Sequence, residues 1–202
     1  MFPMITSPEE IRHIQKQAEL ARQELQQQEI PFREHMETGI MIETPAAAVI
    51  SDILAPMVDF FSIGTNDLIH YLMAIDRNNR HVSYLHEPLH PAVVRSLKRV
   101  IDAAHREGIG VSVCGELASD PCGLALLLGM GVDAVSAAPR FVPGMKHMIR
   151  QLNAETCVEL AHSVLMSTDV MASKRMVREK LHQSLGPELA FHTTSLSSHS
   201  QP

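Results

Sequence analysis

The sequence has few cysteines, no long apolar segment and no run of basic residues, and each absence argues against a class of protein. Three cysteines, Cys114, Cys122 and Cys157, form an odd set without metal-site spacing, which argues against a disulfide framework and favours a reducing, cytoplasmic location. The apolar runs are shorter than the ~18 residues that indicate a membrane span. The start of the chain lacks the basic region and cleavage site of a signal peptide. A net charge of −6 without a Lys/Arg cluster argues against a nucleic-acid partner.

What the sequence does contain is 45% apolar residues over 202 positions, which is enough for one domain with a sizeable core. Short apolar runs alternate with helical patterns along the first three quarters of the chain. The strand candidates are 2–5 (entered partway through), 39–42, 58–63, 109–114 and 132–137; the helix candidates are 8 to about 25, 46–54, 91–107, 121–128 and a segment starting near 143.

Short runs buried on both faces, each followed by a helix, predict an α/β fold with a parallel sheet. Counting the clipped first run gives five βα units. Five such units form either an open doubly wound sheet or five-eighths of a (β/α)8 barrel, and the pattern alone leaves both architectures open.

The chain divides into three predicted parts. Residues 1–153 carry the strand–helix alternation, and residues 154–185 carry further helical segments. Residues 186–202 are rich in Ser, Thr and His, and we expect this tail to be disordered.

Polar residues directly follow predicted strands, which is where parallel α/β folds place their active sites. Glu43 follows the run 39–42, and it is either an acid that favours a helix start or a ligand. Asn66 and Asp67 follow the run 58–63, as helix N-cap residues or as oxygen ligands. Because Glu43 and Asp67 lie at successive strand ends, their carboxylates can converge on one Mg²⁺ or Mn²⁺ ion.

Two further residues have both a structural and a chemical interpretation. Arg77 is either a surface residue paired with Asp76 or a guanidinium that grips a phosphate or carboxylate. Cys114 ends its strand beside a glycine and an acid, so it is either packing or a group that exchanges a proton with a substrate. Cys122 and Cys157 lie inside helical patterns, and we assign both to packing.

Four ordered segments resemble the phosphoenolpyruvate-utilising enzymes, a family that includes Enzyme I, pyruvate phosphate dikinase and phosphoenolpyruvate synthase. The segments are GIMIETPAAA at 39–48, FFSIGTNDL at 60–68, DRN at 76–78 and CGELA at 114–118. The first and last segments are most similar to Enzyme I, and the resemblance covers roughly residues 1–153.

The resemblance implies a (β/α)8 barrel, of which this chain carries about the last five units with extra C-terminal helices. It implies that Glu43 and Asp67 hold Mg²⁺, and that Asn66, Asp67 and Arg77 contact phosphoenolpyruvate. It also implies that Cys114 is the general acid that protonates the enolpyruvate carbon. In the family, the phosphoryl group passes to a protein histidine and then to a phosphocarrier protein of the sugar or nitrogen phosphotransferase system.

The resemblance also implies parts that this sequence lacks, namely the swivelling histidine domain and the first three barrel strands with two substrate-binding arginines. We therefore expect this chain alone not to catalyse phosphoryl transfer, and we expect the full-length enzyme to be a homodimer. Two alternatives stay open. The chain is either a non-catalytic dimerisation or interaction fragment, or a fragment of a dikinase or synthase.

Overall fold

A computed structural model describes residues 1–76, 79, 81–82 and 85–185. The prediction of a disordered tail at 186–202 lies outside the described residues. The strands are β1 (Gly39–Ile42), β2 (Phe60–Gly64), β3 (Gly110–Cys114) and β4 (Ala134–Ser136). The helices are α1 (Pro8–Gln27), α2 (Pro45–Val49), α3 (Ser51–Leu54), α4 (Thr65–Leu72), α5 (Pro91–Arg106), α6 (Glu116–Ser119), α7 (Pro121–Met130), α8 (Val142–Gln151), α9 (Ala154–Met166) and α10 (Val170–Leu185).

The strands form one parallel sheet in which spatial order follows chain order, β1-β2-β3-β4. Phe2 adds a single parallel bridge to Ile40, so the clipped first run lies beside β1. A doubly wound sheet reverses its strand order at a switch point, and the four strands in the described part of the chain show no reversal. The predicted parallel α/β fold is confirmed, and the strand order is that of a partial barrel of the TIM type.

The two faces of the sheet carry different side chains because successive residues of a strand point to opposite faces. Ile42, Ile63 and Val113 are completely buried on the helix-covered face. Met41, Ser62, Ser112 and Cys114 alternate with such residues and lie on the other face, which is more polar. One face therefore packs into the core, and the other presents the polar side chains that could contact a ligand.

The loop between β1 and α2 is fixed by Thr44. Its hydroxyl accepts a hydrogen bond from the Ala47 N–H at 3.1 Å and donates one to the Ile5 carbonyl at 2.7 Å. The first bond caps α2. The second ties the N-terminal segment to the end of β1. Beyond α2, the predicted helix 46–54 is divided, because the backbone of Ile50 (φ −102°, ψ 21°) departs from helical values between α2 and α3.

The C-terminal helices pack onto the preceding units, with α9 against α7 and α10 against α9. Lys174 of α10 forms a largely buried ion pair with Glu87, which precedes α5. Glu87 also accepts a hydrogen bond from the Leu89 N–H at 3.1 Å. In the part of the chain that the structure describes, no helix is both long and apolar enough to cross a membrane.

The turn before β4 is tied to β3 through Asp133. Its Oδ2 accepts a hydrogen bond from the Val111 N–H at 2.8 Å and lies 3.1 Å from Nε2 of His105. These contacts, with the Val111 N–H as the larger cause, hold the pKa of Asp133 below its usual value. Asp133 is thus a link between the last two strands at the end of the sheet opposite Cys114.

We expect Asp133→Asn to lower the free energy of unfolding by about 0.5–1 kcal/mol at about pH 6, a modest value because the side chain is half exposed. The folded-state pKa is lowered, so the stabilisation is complete above the unfolded value of about 3.9 and is lost as pH falls through the folded-state value. Urea unfolding of both proteins at about pH 6 and about pH 3 measures the difference, which should shrink in acid.

Glu107→Gln is the matched control, because it removes an exposed carboxylate from the same region. It should leave stability nearly unchanged at both pH values. A cost of Asp133→Asn that stays constant down to about pH 3 would contradict the assigned role of the charge.

Candidate functional site at the carboxyl ends of the strands

Glu43 is the first residue after β1, and its side chain is only 4% exposed. Its Oε1 accepts a hydrogen bond from the Met4 N–H at 2.8 Å. Met4 has a φ of 56°, which costs a non-glycine residue about 1–2 kcal/mol. The N-terminal segment therefore holds a strained backbone where it meets this carboxylate.

The carboxylate of Glu43 reaches across to the end of β2. A Cβ placed on Gly64 would lie 2.9 Å from Oε2 of Glu43 and 3.0 Å from Sδ of Met41. Any side chain at Gly64 would displace these two groups. Because Gly64 has no side chain, the carboxylate of Glu43 can lie beside the end of β2.

The end of β2 is joined to the end of β3 by Thr65 and Asn66. The Thr65 hydroxyl donates to the Cys114 carbonyl at 2.8 Å, and Oδ1 of Asn66 accepts from the Glu116 N–H at 3.0 Å. Because a backbone N–H can only donate, the amide oxygen of Asn66 is assigned without ambiguity. The amide –NH₂ of Asn66 is consequently left to donate to something other than Glu116, such as a ligand oxygen.

Gly115 makes this junction sterically possible. Its φ of 109° and ψ of −175° lie in a region that is essentially restricted to glycine. A Cβ at Gly115 would lie 2.3 Å from Oγ1 of Thr65 and 2.9 Å from Oδ1 of Asn66. Both the backbone shape and the close approach of the two side chains therefore depend on this glycine.

Cys114 lies at the end of β3 with a half-buried side chain and a free thiol. Its register partner on β2 is Gly64, which has no side chain. Sγ lies 3.5 Å from the Ile63 carbonyl oxygen and 3.9 Å from Oγ of Ser62. The thiol thus lies on the polar face of the sheet, opposite a glycine whose missing side chain makes room for Glu43.

The other two cysteines are in different surroundings. Cys122 in α7 and Cys157 in α9 are both almost completely buried in the core. Burial, with the neighbouring Asp120 as a second cause, raises the pKa of Cys122 to about 12. Burial also raises the pKa of Cys157. A thiol in such surroundings is unreactive near neutral pH.

The remaining predicted site residues are placed as follows. Asp67 lies in the first turn of α4, one residue beyond Asn66, and is partly exposed. Arg77 lies outside the described residues. Within the described ranges, no group of three or more His, Cys, Asp or Glu side chains is placed to hold a metal ion. The structure thus brings Glu43, Asn66 and Cys114 to adjacent strand ends, and any metal would have only two carboxylates from the predicted set.

Reasoning from sequence missed three groups that shape this site: the Met4 N–H, the Thr65 hydroxyl and Ser62. Ser62 could have been predicted from the sequence, because it precedes Gly64 by two positions and strand alternation puts both residues on one face of the sheet. The bond from Met4 to Glu43 joins residues that are 39 positions apart, and no local pattern signals it.

We expect Gly115→Ala to lower the free energy of unfolding by about 3 kcal/mol, through backbone strain and the contact with Thr65. Gly108→Ala is the control, since Gly108 also has a positive φ of 72° but its Cβ would meet no atom within 4 Å. It should cost only about 1 kcal/mol. Urea unfolding followed by circular dichroism measures both. Equal costs would show that Thr65 and Asn66 do not press on Gly115.

Comparison with known proteins identifies the family of the chain. The family model described as "PEP-utilising enzyme, PEP-binding domain" matches residues 1–154. Relatives called phosphoenolpyruvate-protein phosphotransferase include those of Haemophilus influenzae (44% identity; 90% of this chain and 32% of the relative), Buchnera aphidicola subsp. Baizongia pistaciae (46%; 82% and 29%) and Enterococcus faecalis (43%; 85% and 30%). The chain thus spans about a third of the length of these relatives. Since the family model matches three quarters of its residues, the chain belongs to the PEP-utilising enzymes through their PEP-binding domain.

Proposed function

We propose that this chain supplies the phosphoenolpyruvate- and metal-binding part of a phosphoenolpyruvate–protein phosphotransferase, Enzyme I of the sugar or nitrogen phosphotransferase system. The observation that carries the proposal is the meeting of a carboxylate, an amide donor and a thiol at the ends of three adjacent parallel strands. Glu43 touches the space beside Gly64, Gly64 pairs with Cys114, and Asn66 bonds to the residue after Gly115. Parallel barrels use this edge for catalysis.

Glu43 and Asp67 are the proposed ligands of Mg²⁺. Carboxylate oxygens suit this hard cation, which normally keeps several positions for water and substrate phosphate, so two protein ligands are sufficient. One oxygen of Glu43 accepts the Met4 N–H and thereby orients the carboxylate, leaving the other oxygen for the cation. When bound, Mg²⁺ would neutralise charge on the transferring phosphoryl group.

Asn66 and Arg77 are the proposed phosphate contacts. The –NH₂ of Asn66 is directed by the bond that its oxygen accepts from Glu116, and it can donate to a phosphate oxygen. Arg77 follows α4 by five residues, and a guanidinium can contact a phosphate bidentately. Donors that converge on the phosphoryl oxygens lower the barrier to transfer by stabilising charge in the transition state.

Cys114 is the proposed proton donor to the enolate of pyruvate. As the phosphoryl group leaves for a protein histidine, the enolate electron pair forms a C–H bond with the thiol proton. The electron pair of the broken S–H bond stays on sulfur as a thiolate, and the product is pyruvate. From the histidine, the phosphoryl group would pass to a phosphocarrier protein.

Two further features of the whole protein belong to this proposal. The three free thiols suit a reducing cytoplasm. The full-length protein would act as a homodimer, as the resemblance to Enzyme I implies.

A chimera tests the catalytic part of the proposal. In the Haemophilus influenzae relative, the segment that this chain matches is replaced by the present sequence, and pyruvate release from phosphoenolpyruvate is measured with Mg²⁺ and the phosphocarrier protein. We expect Cys114→Ser to lower turnover by about 10²–10⁴-fold, because an alcohol is a far weaker acid than a thiol.

Cys122→Ser in the same chimera is the control, because Cys122 is buried in α7 away from the strand ends. It should leave turnover within a few-fold of the unsubstituted chimera. If Cys114→Ser did the same, Cys114 would not be the proton donor, and the metal and phosphate assignments would stand without it.

A further inference from the structure

Ser62 has a polar side chain in a buried position that the proposed function leaves unexplained. It lies in the middle of β2 and is only 6% exposed. Its Oγ lies 3.9 Å from Sγ of Cys114, within hydrogen-bond range for sulfur. Its register partner Ser112 is used differently, because the Ser112 hydroxyl donates to the Phe61 carbonyl at 3.4 Å. Of these two paired serines, Ser62 is therefore the one whose hydroxyl donates to the thiol.

The neighbours of the sulfur differ in what they can offer to its two protonation states. The Ile63 carbonyl, 3.5 Å from Sγ, is an acceptor only, so it suits the thiol and repels a thiolate. The Thr65 hydroxyl is engaged with the Cys114 carbonyl. The Ser62 hydroxyl can accept from S–H and can donate to S⁻. It is thus the neighbour that is able to stabilise the thiolate.

We propose that Ser62 is a positioning residue for Cys114, whose hydroxyl donates a hydrogen bond to sulfur as the thiol gives up its proton. The inference rests on the proposed function, since it deepens the role of Cys114 as proton donor. In the step itself, the S–H proton goes to the enolate carbon and the S–H electron pair stays on sulfur. The Ser62 O–H, which already donates to Sγ, keeps its proton and its hydrogen bond becomes charge-assisted. Ser62 touches neither substrate nor metal in this step.

A purely packing role for Ser62 makes the opposite prediction for the reactivity of the thiol. If Ser62 only fills space, its truncation opens room beside Sγ and alkylation of Cys114 speeds up or stays the same. If Ser62 donates to the thiolate, truncation removes that stabilisation and alkylation slows. The direction of the change therefore separates the two roles, and neither phosphoenolpyruvate nor activity is required to measure it.

The test is the alkylation rate of Cys114 by iodoacetamide at about pH 8 in the full chain. Cleavage after glutamate releases Gly108–Glu116, which contains Cys114 alone, and mass spectrometry follows its modification. Loss of a hydrogen bond to a charged sulfur slows its alkylation by less than the factor of about ten that such a bond contributes, because a sulfur with fewer hydrogen-bond donors is also more nucleophilic. We expect Ser62→Ala to react about threefold more slowly than the unsubstituted protein.

Three comparisons make the result specific to the Ser62 hydroxyl. Ser112→Ala, which removes the neighbouring hydroxyl, should leave the rate within about twofold of the parent. Ser62→Thr and Ser62→Val have nearly the same shape and differ in the O–H group, so the threonine variant should react about threefold faster than the valine variant. If Ser62→Ala does not fold, the threonine and valine variants still show whether the hydroxyl at position 62 speeds alkylation. In urea, all variants should react alike.

The proposal is overturned if the variants without the hydroxyl react as fast as their hydroxyl-bearing partners or faster, or if Ser112→Ala slows alkylation to the same extent. These outcomes are independent of the chimera result. If Ser62→Ala slows alkylation but the Cys114→Ser chimera is fully active, the hydrogen bond from Ser62 stands and Cys114 is not the proton donor. If Ser62→Ala leaves alkylation unchanged but the Cys114→Ser chimera is inactive, Cys114 stands as the proton donor and Ser62 does not position it.

Discussion

Parallel pairing of β2 with β3, in the register that sets Gly64 opposite Cys114, is the constraint on which the site depends. Because Gly64 has no side chain, that register allows the carboxylate of Glu43 to approach from β1 to the strand position beside Cys114. A shift of β3 by one residue relative to β2 would turn Cys114 toward the helices and bring apolar residues of β3 to the polar face. Such a shift would bury polar groups in the core, which costs free energy. The hydrophobic pattern of the strands therefore stabilises the register that forms the site.

The side chains at the strand ends are held by backbone groups of neighbouring segments. Glu43 accepts from the Met4 N–H, Asn66 accepts from the Glu116 N–H, and Thr65 donates to the Cys114 carbonyl. Backbone donors and acceptors move little once a sheet is formed, so they fix side-chain orientation at low entropic cost. Strain accompanies this arrangement at Met4, whose φ is positive. The orientation of the proposed ligands is therefore a property of the fold that exists before any ligand binds.

Sequence reasoning located the strands to within two residues, because runs buried on both faces are conspicuous between polar loops. The apolar pattern left the architecture open, since no single run determines the strand order of a sheet, and it was the resemblance to the phosphoenolpyruvate-utilising enzymes that implied a barrel. The interruption at Ile50 and the short helix α6 were missed, as segments of four or five residues carry too little periodicity to detect. The placement of Glu43 and Asn66 just after their strands, and of Cys114 at the end of its strand, was predictable from the sequence. Their mutual contacts were not, because these depend on the register and on the space left by Gly64 and Gly115.

We propose that one metal and phosphoenolpyruvate site lies at the carboxyl ends of these strands. Nuclear magnetic resonance of the chain with Mn²⁺ and phosphoenolpyruvate tests it directly, because a paramagnetic ion broadens nearby amide signals. Signals of Glu43, Asn66 and Glu116 should broaden first. Those of Gly39 and Gly110, at the other ends of β1 and β3 and about 13 Å from Glu43 and Cys114, should broaden only at higher Mn²⁺ concentrations. Equal broadening at both ends of the strands, or broadening confined to exposed acids such as Asp52 and Asp102, would contradict this location of the metal site.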